Sequence, residues 1–367
     1  AAMSSSAAGS RRPPPAYNES EALLYYHYAL ASFCGGPVIQ SWTCGPACRA
    51  APVVPGSVRY LAPTGPYHVQ GYVARLPEGG DVPRPFTASG QRCVVGFRGT
   101  QPMNLGNLMA DFFIFMAPWP DGGAAWCKGC RAHMGFAGAY ADIRPELHAA
   151  LRELGCRSAS VAGHSLGAAL ATFASLELRA GLNLTVEAVW TYGKPRVGNA
   201  AFAEAYTAAA ERQSVDPPMW RIVHYHDLVP RMNLYSLPWG PRHEPLEIYY
   251  TREDSTAFRI CPPPAGLLED PDCMLGTPVL EWVYSDHMKY LRVPFKLPEI
   301  CGFHVDEGGE LTLASAGLIL TVGLVFLSRK CLRRKAAFSR GPPLVLGTAS
   351  SEPLLDAGGG AVQLRLA

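Results

Sequence analysis

The chain lacks any charge imbalance. Of 367 residues, 32 are Lys or Arg and 30 are Asp or Glu, a formal net charge of +2. That balance offers no basic excess of the kind that holds nucleic acid. It also lacks internal repeats and heptads, which argues against a solenoid or a coiled coil. A partner for Cys127-x-x-Cys130 with matching spacing is missing, so half of a zinc site would be absent, and neither a metal nor a cofactor is expected. A secretory leader is not visible and the first residue is Ala, so either the leader has been removed or the sequence is incomplete. What is present supports one large domain: 48 % apolar and 17 % charged residues, with 37 Gly and 33 Pro for turns. Eleven cysteines favour an oxidising compartment.

Residues 1–16 are of low complexity and read as disordered. Residues 17–33 carry an amphipathic helical pattern, and Cys44 to Cys48 reads as a small disulfide loop. Strands are expected in 58–76 (two of them), 93–97, 158–162, 185–192 and 220–224. Helices are expected at 137–154, where Pro145 should kink or restart the turn, and at 200–212. A further helix follows Ser165. Strands alternating with helices imply an α/β domain with a mostly parallel sheet, helices on both faces and chemistry at the carboxyl strand ends.

The segment Gly163-His164-Ser165-Leu166-Gly167 fits G-x-S-x-G between a strand and a helix. A serine hydroxyl is a weak nucleophile and must be exposed on a sharp turn and activated. The pentapeptide alone equally fits an ordinary Gly/Ser turn. Asp227 lies just past a strand end, where an orienting carboxylate or a plain turn aspartate would sit. His287 falls last. The order Ser165, Asp227, His287, with gaps of 62 and 60 residues, is that of the α/β-hydrolases.

Seven ordered motifs extend the pattern: G-F-R-G-T at 96–100, N-L-M-A-D at 107–111, C-K-G-C-R-A-H-M-G-F at 127–136, G-H-S-L-G at 163–167, Y-G-K-P-R-V-G-N at 192–199, H-D-L-V-P-R at 226–231 and D-H-M-K-Y at 286–290. Together they resemble the class 3 lipases, the fungal triacylglycerol lipases of α/β-hydrolase fold, from about Tyr17 to Cys301. The resemblance implies Ser165 as nucleophile, His287 as base and Asp227 as its orienter, with Thr100 and the Leu166 N–H as the oxyanion hole. Thr100 stands where fungal members often have Ser, and either hydroxyl can donate. His133, His164 and His243 are expected to be structural, with His164 pointing away from the chemistry. Residues 102–115 occupy the lid position, where Leu105, Leu108, Met109, Phe112 and Phe113 give an apolar surface suited to opening against lipid. An ordinary core helix is the plainer alternative. Leu108 replaces a tryptophan common in fungal lids, and the segment from Thr100 to Asp111 is about two residues longer than theirs.

The same resemblance implies disulfides Cys34–Cys301, Cys44–Cys48 and Cys127–Cys130, with Cys261–Cys273 as a fourth. Cys93 and Cys156 abut central strands as two free thiols or one bond. Asn18 and Asn183 head glycosylation sequons.

Beyond Cys301 the resemblance ends. After a linker at 306–310, residues 311–327 are uncharged, and Arg329, Lys330, Arg333, Arg334 and Lys335 follow at once. This reads as one transmembrane helix with a cytoplasmic tail at 328–367, which puts the catalytic domain (17–305) in a lumen or outside the cell. The expected activity is serine-dependent hydrolysis of tri- or diacylglycerol at a membrane or lipid surface. A phospholipase or galactolipase, a feruloyl-type esterase, an acyltransferase and a non-catalytic receptor of the same fold are the alternatives.

Overall fold

Along neighbouring strands, alternate residues enter two different cores. Val73, Val95, Val161 and Val189 join one, and Tyr72, Val94, Ala162 and Trp190 join the other. This period of two, with both faces buried, is the mark of a sheet covered by helices on each side. The computed structural model describes residues 16–78, 91–99, 115–232, 240–264 and 266–302.

Eight strands form the sheet: β1 (Arg59–Leu61), β2 (Gly71–Arg75), β3 (Arg92–Phe97), β6 (Ser158–His164), β7 (Thr185–Tyr192), β8 (Trp220–His224), β9 (Glu247–Tyr250) and β10 (Phe258–Cys261). Their order in space is β1-β2-β3-β6-β7-β8-β9-β10. The run from β3 to β9 is parallel, and the outer pairs at both ends are antiparallel. Two short strands, β4 (Met116–Pro118) and β5 (Arg131–His133), pair apart from it. So do β11 (Lys289–Tyr290) and β12 (Val293–Pro294).

The longer helices depart from expectation in two places. Helix α1 (Glu19–Ala31) is not amphipathic. Ala22, Tyr25, Tyr26, Tyr28, Ala29, Leu30 and Ala31 are all buried, because it is packed between the sheet and the short helices α3 (Gly45–Ala50) and α8 (Leu297–Cys301), while α2 (Gly36–Gln40) lies against β1. Two of its three tyrosine hydroxyls find partners: Tyr25 donates to Ser160 Oγ at 3.0 Å, and Tyr28 donates to the Pro52 carbonyl, while the Tyr26 hydroxyl is buried without one. Helix α4 (Met134–Glu153) starts earlier than expected, with His133 as its N-cap, and runs through Pro145 without a break. Helices α5 (Leu166–Ala180), α6 (Ala200–Arg212) and α7 (Leu228–Arg231) are the other α-helices among the described residues.

Five disulfides are formed. Cys34–Cys301, Cys44–Cys48, Cys127–Cys130 and Cys261–Cys273 are joined by Cys93–Cys156, which closes the open choice at that pair in favour of a bond. Asn18 is exposed and its Oδ1 caps α1, while Asn183 is exposed on the loop between α5 and β7. The chain divides into two units at His304/Val305. Among the described residues no helix is long and apolar enough to cross a membrane. The run 311–327 lies outside them, as do Cys331 and both terminal segments.

Candidate active site

Ser165 sits between β6 and α5 with φ 59° and ψ −127°, a conformation that a non-glycine residue holds only when its surroundings force it. Two glycines make the turn possible. A Cβ at Gly163 would lie 2.2 Å from the Gly167 carbonyl oxygen, and one at Gly167 would lie 2.1 Å from that of Phe97. Helix α5 therefore packs directly on β3 and β6. The Ser165 N–H donates to the Tyr192 carbonyl at 2.9 Å, which ties the turn to the end of β7. Leu166 is the first residue of α5, so its N–H is one of the four that the helix itself cannot satisfy.

Asp227 follows β8 and caps α7. Its Oδ1 accepts from the Val229 N–H at 2.8 Å. Its Oδ2 lies 2.8 Å from His287 Nδ1 and also accepts from the Tyr290 hydroxyl. Burial alone would raise this carboxyl. The charge of His287 and the hydrogen bonds from His287, Tyr290 and Val229 outweigh burial and hold it below the ordinary value. With a proton on Nδ1 facing the carboxylate, the other ring nitrogen of His287 is left as the base.

His287 lies in a 3-10 turn, Ser285–Met288. It is wedged between Gly193 and His164. A Cβ at Gly193 would be 2.6 Å from His287 Cε1 and 2.9 Å from Asp227 Oδ2, and Gly193 has φ 58°. The His164 ring lies 4.5 Å from that of His287, centroid to centroid. The elbow serine and the imidazole thus share the same neighbours, His164 and the Tyr192–Gly193 link. Ser165 Oγ and His287 Nε2 are both buried and without a hydrogen-bond partner. Ser165, His287 and Asp227 are 2, 1 and 0 % exposed, so all three side chains are shielded from solvent.

His164 does not point away from this cluster, contrary to expectation. Its Nε2 donates to the His287 backbone carbonyl at 2.9 Å. Burial and the neighbouring His287 push its pKa down to about 3, so it is a neutral donor. His133 and His243 are local supports: His133 caps α4, and the His243 ring meets the Pro230 carbonyl at 2.9 Å. Thr100 and the lid residues Leu105, Leu108, Met109, Phe112 and Phe113 lie outside the described residues. Phe115, just beyond them, is 70 % exposed.

Three supports lie within the sequence motifs, which assign them no role. Tyr290 and Gly193 touch the Asp227–His287 pair directly. Arg231, 4 % exposed, donates to the Asp227 and Tyr225 carbonyls. Beside it, Arg196 is paired with Glu269 at 2.7 Å and donates to the carbonyls of Pro230, Arg231 and Met232, fixing the α7 turn from below. One acidic and cysteine cluster, Glu247 with Cys261 and Cys273, has ligand-like spacing, but its two thiols are spent on a disulfide.

Residues 94–236 match the sequence profile of the family described as Lipase (class 3). Over that stretch the chain is similar to the class 3 lipases. It is 27 % identical over 281 residues to secreted mono- and diacylglycerol lipase 2 of Gibberella zeae, covering 70 % of this chain and 63 % of that one. It is 34 % identical over 149 residues to secreted mono- and diacylglycerol lipase A of Penicillium camembertii, covering 39 % and 44 %. The chain therefore spans less than two thirds of the length of these curated relatives. The fold is similar to that of Rhizomucor miehei lipase in its propeptide complex, with TM-score 0.59, 23 % identity and coverage of 77 % and 81 %. It is also similar to a lipase from Rhizopus microsporus var. chinensis, with TM-score 0.57, 21 % identity and coverage of 79 % and 98 %.

Proposed function

We propose that the chain is a serine-dependent acylglycerol hydrolase. One observation carries this reading: a strained serine elbow and an aspartate-held histidine converge on shared neighbours, and the two atoms that a proton transfer needs are both left without a hydrogen-bond partner. Ser165 Oγ attacks the acyl carbonyl while His287 Nε2 takes its proton. Asp227 stabilises the imidazolium that forms. The Leu166 N–H, with the Thr100 hydroxyl, receives the negative charge on the tetrahedral oxygen. His287 then returns the proton to the leaving alcohol. Water, activated by the same histidine, cleaves the acyl-enzyme.

Mono-, di- or triacylglycerol is the substrate class, since the relatives bear the names of mono- and diacylglycerol lipases and the site is closed to water. The apolar stretch 102–115 is assigned as the cover that opens against lipid. Residues 311–327 with their basic flank are assigned as a single span, which leaves residues 17–305 lumenal or extracellular. Five disulfides agree with that side of a membrane.

The test is hydrolysis of tributyrin, long-chain di- and triacylglycerol, phosphatidylcholine and p-nitrophenyl butyrate, below and above the concentration at which each lipid aggregates. The expected result is a rate that rises on aggregation of acylglycerol and vanishes in Ser165→Ala. Turnover retained by Ser165→Ala would sink the triad, and a rate confined to the soluble ester would remove the cover. The span is checked by carbonate extraction of membranes from expressing cells, where the full chain should stay in the pellet and release into the supernatant would refute it.

A further inference from the structure

A short turn beside the catalytic pair presents apolar side chains to water. In the segment Thr277-Pro-Val-Leu-Glu-Trp-Val283, a 3-10 turn at Val279–Glu281 leaves Val279 68 %, Leu280 99 % and Val283 40 % exposed. Single exposed apolar residues are ordinary, but three within five positions on one turn are not. The turn is also held rigid. Val283 N–H donates to the His226 carbonyl at 3.0 Å, and Val283 forms a parallel bridge with Asp227. Thr277 Oγ1 accepts from Arg231 Nη2 at 2.9 Å, and the same guanidinium donates to the Asp227 carbonyl. Trp282 donates its indole N–H inward to the Thr277 carbonyl at 3.0 Å, so its polar atom needs no water. Glu281 lies 3.4 Å from His226 Nε2.

We infer that the 279–283 turn is a lipid-inserting wedge that seats the site on an acyl-chain surface. Lipid is chosen as the occupant for two reasons. Three side chains fall far short of the roughly 800 Å² a side that a stable protein interface buries, whereas a lipid surface sets no minimum area. The wedge is also continuous, through Val283 and Arg231, with the loop that carries Asp227, so what it touches lies at the rim of the site. The choice of lipid rests on the acylglycerol reading above. The wedge would register the site against the surface at a fixed distance because its base is the same hydrogen-bonded frame that holds the aspartate.

The experiment uses the full chain carrying Ser165→Ala, so that vesicles are not consumed. Vesicles of phosphatidylcholine and diacylglycerol are prepared with and without bromine along the phosphatidylcholine acyl chains. The Trp282 emission is isolated by subtracting Trp282→Phe. Bromine should quench it, and Leu280→Asp should weaken that quenching about tenfold at limiting lipid, because a charge replaces a buried leucine. Protein that sediments with vesicles while Trp282 stays unquenched overturns the wedge. So does protein that does not sediment, and so does equal quenching in Leu280→Asp. A Trp282 change that follows protein concentration without lipid assigns the turn to contact between copies and also overturns it. Because no turnover is read, a failure of the hydrolysis test leaves this result standing, and the reverse.

Discussion

At the scale of single residues, the site depends on atoms that hold Asp227 and His287 in register. Tyr290→Phe deletes one of three hydrogen bonds to a buried carboxylate. The expected cost is about 1–3 kcal/mol of stability and roughly tenfold in kcat/KM, with the Asp227 carboxyl shifted upward. Denaturant melts and steady-state rates on a soluble ester check both, and an unchanged rate would remove Tyr290 from the site. The grouping of Asp227 with His287, and of both near the Ser165 elbow, was legible because order and strand-end positions leave a trace in one dimension. Tyr290, Gly193 and the His164 contact were not. All three lie in the quoted motifs, but the contacts that give them a role reach segments tens of residues away: Tyr290 to Asp227, Gly193 to His287 and His164 to the His287 carbonyl.

At the scale of elements, the turn after β7 is as constrained as the serine elbow. Gly193→Ala would place a methyl group within contact distance of both His287 and Asp227, at a backbone angle that only glycine takes freely. A displacement of about 1 Å at the imidazole is expected to lower kcat about a hundredfold, with the far-ultraviolet spectrum unchanged. Near-wild-type kcat would show that the loop can yield. The central strands were readable as short apolar runs because both faces of each are buried. Strands β9 and β10 were not. Glu247 opens β9 with a buried charge matched by Arg221 at 3.2 Å, and the first two residues of β10 are exposed, so neither shows the apolar run or alternation that marks a strand. Helix α1 misled for the opposite reason: its apolar positions were read as one face, whereas Ala22, Tyr25, Tyr26, Tyr28, Ala29, Leu30 and Ala31 are buried on more than one side because the helix lies between the sheet and shorter helices.

At the scale of the whole molecule, buried ionisable groups tie stability to pH in two windows. His164 is pushed down to about 3, and His243 is also held well below its ordinary 6.5 by burial and nearby cations. Unfolding lets both bind protons, so stability falls as pH drops below about 6.5, by about 1.4 kcal/mol per pH unit for each ring. Asp227 works lower down. Its folded value is depressed, so its contribution is full above its ordinary 3.8 and is lost as pH falls further. Denaturant titrations at pH 7 and pH 5 should show His164→Asn losing about 2 kcal/mol less than the parent over that interval. Equal losses would mean that His164 charges without cost. The Cys34–Cys301 bond has a consequence of a different kind. It joins positions 267 residues apart, and Ser165, Asp227 and His287 all lie inside the loop it closes. Tension applied between the chain after Cys301 and the chain before Cys34 would cross that one covalent link and bypass the loop, so the catalytic part of the molecule carries no mechanical load.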